Sequence, residues 1–343
     1  MTRQIDKDLL DTSAYPEPTT KVELVQTHIS FVFLTDNFVY KVKKPVNFGF
    51  VDFSTLEKRA QYCNNEVTLN RRLSPDTYLE VLPVTEEGGR LRIGGSGDLV
   101  DYCVKMKRLS MDNLMIKMLE EGRLTAQKIV EVAEKIADFH AVAETSPEID
   151  KYGTVVAMRF TTDENFEQTE KYVGITLPME QFSAIKDYTN NFYLTHKDLF
   201  DDRIRKHKIK DCHGDLHMEH ICLDEPITIF DCIEFNDRFR YIDTACDIAF
   251  LAMDLDFHTR FGRSGIDRKE LSKVLVDAYV TRSGDGDVYE LMTFYKVYRA
   301  YVRGKVISFR LNDEHISPED KDVAADTARK YFELAISYIR ADG

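Results

Sequence analysis

The feature that most restricts how this chain folds is a change of hydrophobic pattern near Arg108. Before it, apolar residues cluster in short β-branched and aromatic runs; after it, they recur at the spacing of one helix face. Residues 27–34 read as a strand, Thr35-Asp36-Asn37 as a turn, and Phe38-Val39-Tyr40-Lys41-Val42 as the return strand, so a hairpin with a lysine on its second strand is expected. Ser54 followed by Glu57 has the spacing of a capping box and predicts a helix to about Leu73. Further strands are expected at 79–84, 90–93 and 99–106. Residues 111–121, 125–143 and 179–199 have helical spacing; 211–235 interrupts it with two short apolar runs among turn residues, and helices resume from Tyr241 to Ile339. An α+β chain follows, with a small β-rich lobe over residues 1–108 and a larger, mainly helical lobe over 109–343.

Composition narrows the function class. The 343 residues suffice for two packed lobes. The 59 acidic side chains outnumber the 46 basic ones for a net charge of -13, which repels a phosphate backbone and argues against nucleic acid as partner. An acidic surface suits a cationic substrate, but it is also a common solubility device. Cys63, Cys103, Cys212, Cys222, Cys232 and Cys246 form no C-x-x-C pair, and several sit in apolar runs where a thiol behaves as a small hydrophobe. The opening residues lack the apolar stretch of a secretory signal, and no window is apolar enough to span a bilayer. A cytoplasmic protein without membrane attachment is therefore expected.

The chemistry concentrates in Cys212-His213-Gly214-Asp215-Leu216-His217-Met218-Glu219-His220, followed by Ile227-Thr228-Ile229-Phe230-Asp231-Cys232-Ile233-Glu234-Phe235. One aspartate sits on a glycine-containing turn, and a short apolar strand delivers a second. Two such carboxylates suit phosphoryl transfer, one to accept the hydroxyl proton and one to hold the metal that bridges the nucleotide phosphates. An ionisable group on an apolar strand also needs a partner or a function.

These residues resemble the aminoglycoside phosphotransferase and choline kinase superfamily, relatives of the protein kinases, whose catalytic loop reads H-G-D-x-x-x-x-N. His213–His217 and the run Phe230–Arg238 are similar to an uncharacterised bacterial branch of it. The resemblance implies a bilobal protein-kinase-like fold, ATP or another nucleoside triphosphate with Mg2+ as cofactors, and a small-molecule hydroxyl as acceptor. It makes Asp215 the catalytic base and Asp231 the principal metal ligand, and gives Asp247 a bracing role beneath the loop. The family's metal-binding asparagine is replaced by His220, an imidazole where a hard oxygen is usual, so the second metal site is altered or is completed by Glu234. Upstream, the fold asks for a strand lysine paired with a helix glutamate. Lys41 and Glu66 fit, with Lys43 as the alternate lysine on the same strand face. The nucleotide-covering turn at 27–31 has no glycine, and the hinge is expected at Met106, Lys107 and Arg108.

Other readings compete at each position. Lys41 also reads as a solvated edge-strand lysine. His213, His217 and His220, with Asp215 and Glu219, also suit a zinc site in a metal-dependent hydrolase, where H-x-x-x-H would set two imidazoles on one helical face. A catalytically weak nucleotide-binding module is a third reading. For the acceptor, residues 160–172 offer Asp163, Asn165 and Gln168, and the late helix offers Arg299, Arg303 and Arg310 with Lys296 and Lys305. That stripe would receive an anion, or is a solvated face with internal ion pairs.

Overall fold

A computed structural model describes residues 4–262, 270–313 and 316–342; the remaining ends of the expected lobes lie outside them. The chain divides into two compact units, Met1–Leu114 with His220–Asp237, and Met115–Glu219 with Arg238–Gly343.

The first unit is built on one antiparallel sheet. After a short helix α1 (Ile5–Asp8) come β1 (Glu23–Gln26), β2 (Ser30–Leu34), β3 (Phe38–Lys43), β4 (Tyr78–Glu87), β5 (Arg90–Ile93) and β6 (Asp98–Lys107), in spatial order β1-β2-β3-β6-β4-β5. The pleat sorts β3 into two faces. Tyr40 and Val42 enter an apolar cluster with Phe33, Val84, Leu91, Ile93 and Cys103. Lys41 and Lys43 point the other way, toward α2 (Leu56–Asn70), where Cys63 and Val67 pack on Tyr78 and Val104. Lys41 lies opposite Val104 and Val32 in the sheet register.

Helix α2 begins one residue later than the capping-box spacing suggests. Ser54 spends both its N–H and its hydroxyl on Asp52, so Thr55 caps the helix by accepting from the Lys58 N–H. The buried pair of Arg59 with Asp101, 2.9 Å apart, ties α2 to β6.

The first unit runs to Leu114 and also takes in residues 220–237. Strands β8 (Ile221–Cys222) and β9 (Thr228–Ile229) form a hairpin whose backbone is captured locally. The Leu223 N–H donates to Asn113 O (2.8 Å), Ser74 Oγ to Ile229 O (2.5 Å), and the Cys232 N–H to Asn70 Oδ1 (2.8 Å). Short strands have too little apolar area to dock alone, and these polar ties settle where the hairpin goes.

The second unit is helical apart from β7 (Ile209–Asp211) paired with β10 (Tyr241–Asp243). After α3 (Met115–Glu120), α4 (Ala126–Val142) and α5 (Pro147–Asp150), α6 (Val155–Thr169), α7 (Met179–Thr195) and α8 (Lys197–Arg205) lead into β7. Helices α9 (Thr244–Phe261), α10 (Leu271–Ser283), α11 (Val288–Phe309) and α12 (Pro318–Asp342) follow β10. Helix α9 is buried continuously from Thr244 to Leu255, where most of its side chains are apolar, and lies against α10 and α11. Phe250, Met253 and Phe257 of α9 join Val297, Tyr301, Tyr331 and Phe332 in the core. Asp243 caps α9 through the Ala245 N–H and is itself held by buried Arg203, which also grips Asp285.

Candidate active site

In the first unit the two strand lysines and three carboxylates form a chain of alternating charge. Lys41 Nζ lies 2.8 Å from Glu66 Oε1 and 2.7 Å from Asp231 Oδ1. Lys43 Nζ lies 2.7 Å from Glu66 Oε2 and also pairs with Glu234. Glu66 thus divides its two oxygens between the lysines that the β3 pleat places on one face. Burial would lower the pKa of Lys41, but Asp231, Glu66 and Glu234 together hold it well above the ordinary lysine value. Burial would raise that of Glu66, and the two lysines outweigh it and lower it. Glu234 goes the other way: burial pushes its pKa up, and Lys43 offsets only part.

Asp231 stands at the solvent end of this chain, 39% of its side chain exposed, whereas Glu66 is fully buried. Its backbone is left-handed (φ 61°), a region aspartate tolerates better than most residues, and its N–H donates to the Tyr78 hydroxyl at 3.0 Å. That turn swings the carboxylate out of the apolar run it follows. His220 Nε2 approaches Asp231 Oδ2 at 3.5 Å. Asp231 therefore has a cation on one oxygen and an imidazole by the other. At the end of β6, the N–H groups of Lys107 and Arg108 are already donated to Thr77 O and Asn37 O, and Met106 is paired with Val39 and Tyr78.

In the second unit Asp215 sits on the loop leaving β7. Gly214 takes φ 85°, which a Cβ would disfavour, so the glycine of the motif is required by the turn. Helix α9 braces the loop at both ends. Asp247 accepts the His213 N–H (3.0 Å) and the Gly214 N–H (2.9 Å), and Asp254, two helical turns on, accepts the Met218 N–H (2.9 Å). Burial would raise the pKa of both aspartates. His140, His213 and Arg299 around Asp247, and His258, His217 and Arg303 around Asp254, instead lower each to about 2. From α11, Arg299 donates to Gly214 O at 3.1 Å and to Cys246 O at 3.2 Å. His217 Nε2 lies 3.5 Å from Asp215 Oδ2; burial would lower the basicity of this imidazole, and Asp215 outweighs that and raises it.

The expected residues thus gather in two groups: Lys41, Glu66, Asp231, His220 and Glu234 in the first unit, and Asp215, Asp247, Arg299 and Arg303 in the second. The helix on which the zinc reading sets His213 and His217 is absent, since 213–217 is irregular and only Met218–His220 forms a 3-10 turn. The late-helix stripe splits up. Lys296 pairs with Asp256 (2.8 Å), Arg310 is exposed, Lys305 donates to Asn165 and Gln168, and Asp163 faces Arg159 on the surface. Asp254, Tyr78 and Asn70 were not anticipated. Asp254 had a signal: it and Asp247 are acidic residues two turns apart, separated by the wholly apolar run Ile248–Met253. Tyr78 and Asn70 had none, because their partners are backbone groups far along the chain.

No family model matches this chain. Uncharacterised proteins of Mycobacterium tuberculosis and Mycobacterium bovis are 32% identical over 309 residues, which is 90% of this chain but only 58% of theirs. Among solved structures, aminoglycoside 2'-phosphotransferase-IIIa with GDP superposes with a TM-score of 0.53 at 13% identity, covering 92% of this chain and 93% of that one. A choline/ethanolamine kinase family protein of Mesorhizobium loti has a TM-score of 0.53 at 13% identity, covering 94% and 93%. The amicoumacin kinase hAmiN with AMP-PNP and Ca2+ has a TM-score of 0.52 at 11% identity, covering 91% and 88%. The chain has the bilobal α+β fold of these kinases. Among the described residues no helix is long and apolar enough to cross a membrane, and the six cysteines are buried and form no disulfide.

Proposed function

We propose that the chain transfers the γ-phosphoryl group of ATP, or of another nucleoside triphosphate, to a hydroxyl of a small molecule. The observation that carries this reading is Lys41, held by Glu66 on one side and facing Asp231 on the other. Phosphoryl transfer needs a lysine on that strand, a helix glutamate to fix it, and a carboxylate for the metal. The likeness to solved kinases supports the same class.

The donor set fits a divalent cation. Asp231 offers a half-exposed hard oxygen, and His220 beside it is a poorer ligand for Mg2+ than an amide. Glu234 is committed to Lys43 and buried, so we assign it to the lysine rather than to the metal. Bound Mg2+ would neutralise charge on the transferring phosphoryl group.

The protein's own contribution is positional. Lys41 exchanges Asp231 for phosphate oxygens while Glu66 keeps its ammonium in place. Asp215 orients the acceptor hydroxyl and takes its proton; Asp247, Asp254 and Arg299 are positioning residues that hold its loop. The adenine edge, expected at Met106, Lys107 and Arg108, would meet carbonyl groups there, the N–H groups of Lys107 and Arg108 being spent.

The test is ATP consumption across a panel of sugars, amino alcohols and nucleosides. Asp215→Asn should abolish transfer and keep nucleotide affinity, and Asp231→Ala should lose affinity for magnesium–ATP by isothermal titration. Stoichiometric zinc without ATP use, or full turnover by Asp215→Asn, would refute the reading.

A further inference from the structure

Helix α11 carries Arg299 and Arg303 one turn apart, on the face that meets α9 and the Asp215 loop. Among the described residues neither makes an ion pair with a carboxylate, in contrast to Lys296 on the same helix, which has Asp256. Arg299 is 5% exposed and stacks its guanidinium on Phe250, 4.7 Å from the ring centre. It spends Nε and Nη1 on the carbonyls of Cys246 and Gly214, while its buried Nη2 has no hydrogen-bond partner. Arg303 lies 5.7 Å from the Tyr331 ring, and its buried Nε is likewise unpartnered. The Gly214 carbonyl that Arg299 holds adjoins Asp215, Arg303 follows one helical turn on, and Asp215 is among the charges that raise the pKa of both guanidinium groups.

Open guanidinium N–H groups in a buried setting are costly unless an anion completes them. Arginine is suited to that task, since its planar fork matches the oxygens of a carboxylate or phosphate. A cationic acceptor, by contrast, would meet two positive charges beside the base.

We propose that the acceptor is itself an anion: a hydroxyl compound bearing a phosphate or carboxylate group, received by Arg303 and by Nη2 of Arg299 while its hydroxyl faces Asp215. This rests on the phosphotransferase reading above. The hydroxyl oxygen forms the new bond to the γ-phosphorus as the bond to the bridging oxygen of the nucleoside diphosphate breaks. The hydroxyl proton passes to Asp215.

Two measurements on the full chain test it. The first compares acceptors differing only in the anion, ribose with ribose 5-phosphate and glycerol with glycerate, by release of nucleoside diphosphate. The anionic member of a pair should be preferred. Arg303→Gln should raise its KM on the order of 10- to 100-fold, the worth of a charge-assisted hydrogen bond, with most of the loss in KM rather than kcat; Arg303→Lys should restore part of it. The second measures the rise in melting temperature with inorganic phosphate in the absence of nucleotide. That rise should survive in Lys41→Met and disappear in Arg303→Gln. Equal or better use of the neutral acceptors by a chain that does consume ATP would overturn the anion site and leave the kinase reading standing. A chain that uses no nucleotide fails the kinase reading alone, and the phosphate titration still decides the anion site. Phosphate binding unaffected by Arg303→Gln, or no phosphate binding at all, would overturn it.

Discussion

Replacing Lys43 by methionine should separate stability from activity in the lysine–carboxylate chain. Lys43 is 1% exposed and holds one oxygen of Glu66, which is fully buried, and Glu234, which is 5% exposed. Methionine keeps the volume and removes the charge. Glu66 would still have Lys41, but Glu234 would lose the cation in contact with it. Breaking a buried pair by removing one partner costs about 3–5 kcal/mol. At a few degrees per kcal/mol, the unit holding the sheet should melt on the order of 10 °C earlier. Lys41→Met should cost much less stability, since Asp231 is 39% exposed and stays hydrated, yet it should lose nucleotide affinity. The pH dependence has a defined sign. Burial already raises the pKa of Glu234, and loss of Lys43 raises it further, so the penalty is full at neutral pH and shrinks as the carboxyl protonates on acidification. Lys43→Met/Glu234→Gln should recover most of the loss, because no charge is then stranded. The chain has no tryptophan, so far-UV circular dichroism melts at pH 5 and 7.5 are the suitable assay. Melting of Lys43→Met together with the wild type, or a double variant no more stable than the single, would refute the role given to Lys43.

Three further outcomes follow from the site. Asp254→Asn should lower kcat at least tenfold with nucleotide affinity retained, because it weakens the hold on the Met218 N–H at the far end of the Asp215 loop; an unchanged kcat would remove Asp254 as a positioning residue. The pKa values of Asp247 and Asp254 fall from 3.8 to about 2 on folding, so each stabilises the chain above pH 4 by roughly 2 kcal/mol, lost as pH falls through 4 to 2. Asp247→Asn should flatten that acid limb of an unfolding curve, and an identical limb would refute the assignment. His220→Asn should retain or improve magnesium-supported turnover, since an amide oxygen suits Mg2+ better than imidazole; complete loss would give the imidazole a role of its own.

How much of this was legible in the sequence depends on the range of the interaction. The pleat of β3 made it readable that Lys41 and Lys43 share a face, and helical period put Glu66 on α2. What did not show was that Glu66 serves both lysines, so that Lys43 is part of the arrangement rather than an alternate to Lys41. Nor did the sequence say that Glu234 faces Lys43: that depends on the turn at Asp231, which in turn depends on Tyr78 and Asn70, more than 150 residues away along the chain. Asp247 was readable only through resemblance, and Asp254 only as a charge ending the apolar run Ile248–Met253. The capping residue of α2 was displaced by one because Asp52 outcompeted the helix for Ser54. Apart from that local contest, the missing information was a polar side chain reaching a backbone group or a charge at long range, which leaves no period in the sequence.

The buried charges also argue against a purely structural explanation of both groups. A folding problem alone would be solved more cheaply by apolar residues at Lys43, Glu234 and Asp254, because paired charges in an interior seldom repay their desolvation. The two groups are built on one scheme, in which a charge assigned to the reaction is fixed by charges or backbone groups behind it. Lys41 is fixed by Glu66, which is shared with Lys43, which is completed by Glu234. Asp215 is fixed by a loop whose N–H groups are held by Asp247 and Asp254 and whose carbonyl is held by Arg299. Such layering costs stability and gains position, a trade that makes sense where charge must be in place before a reaction starts.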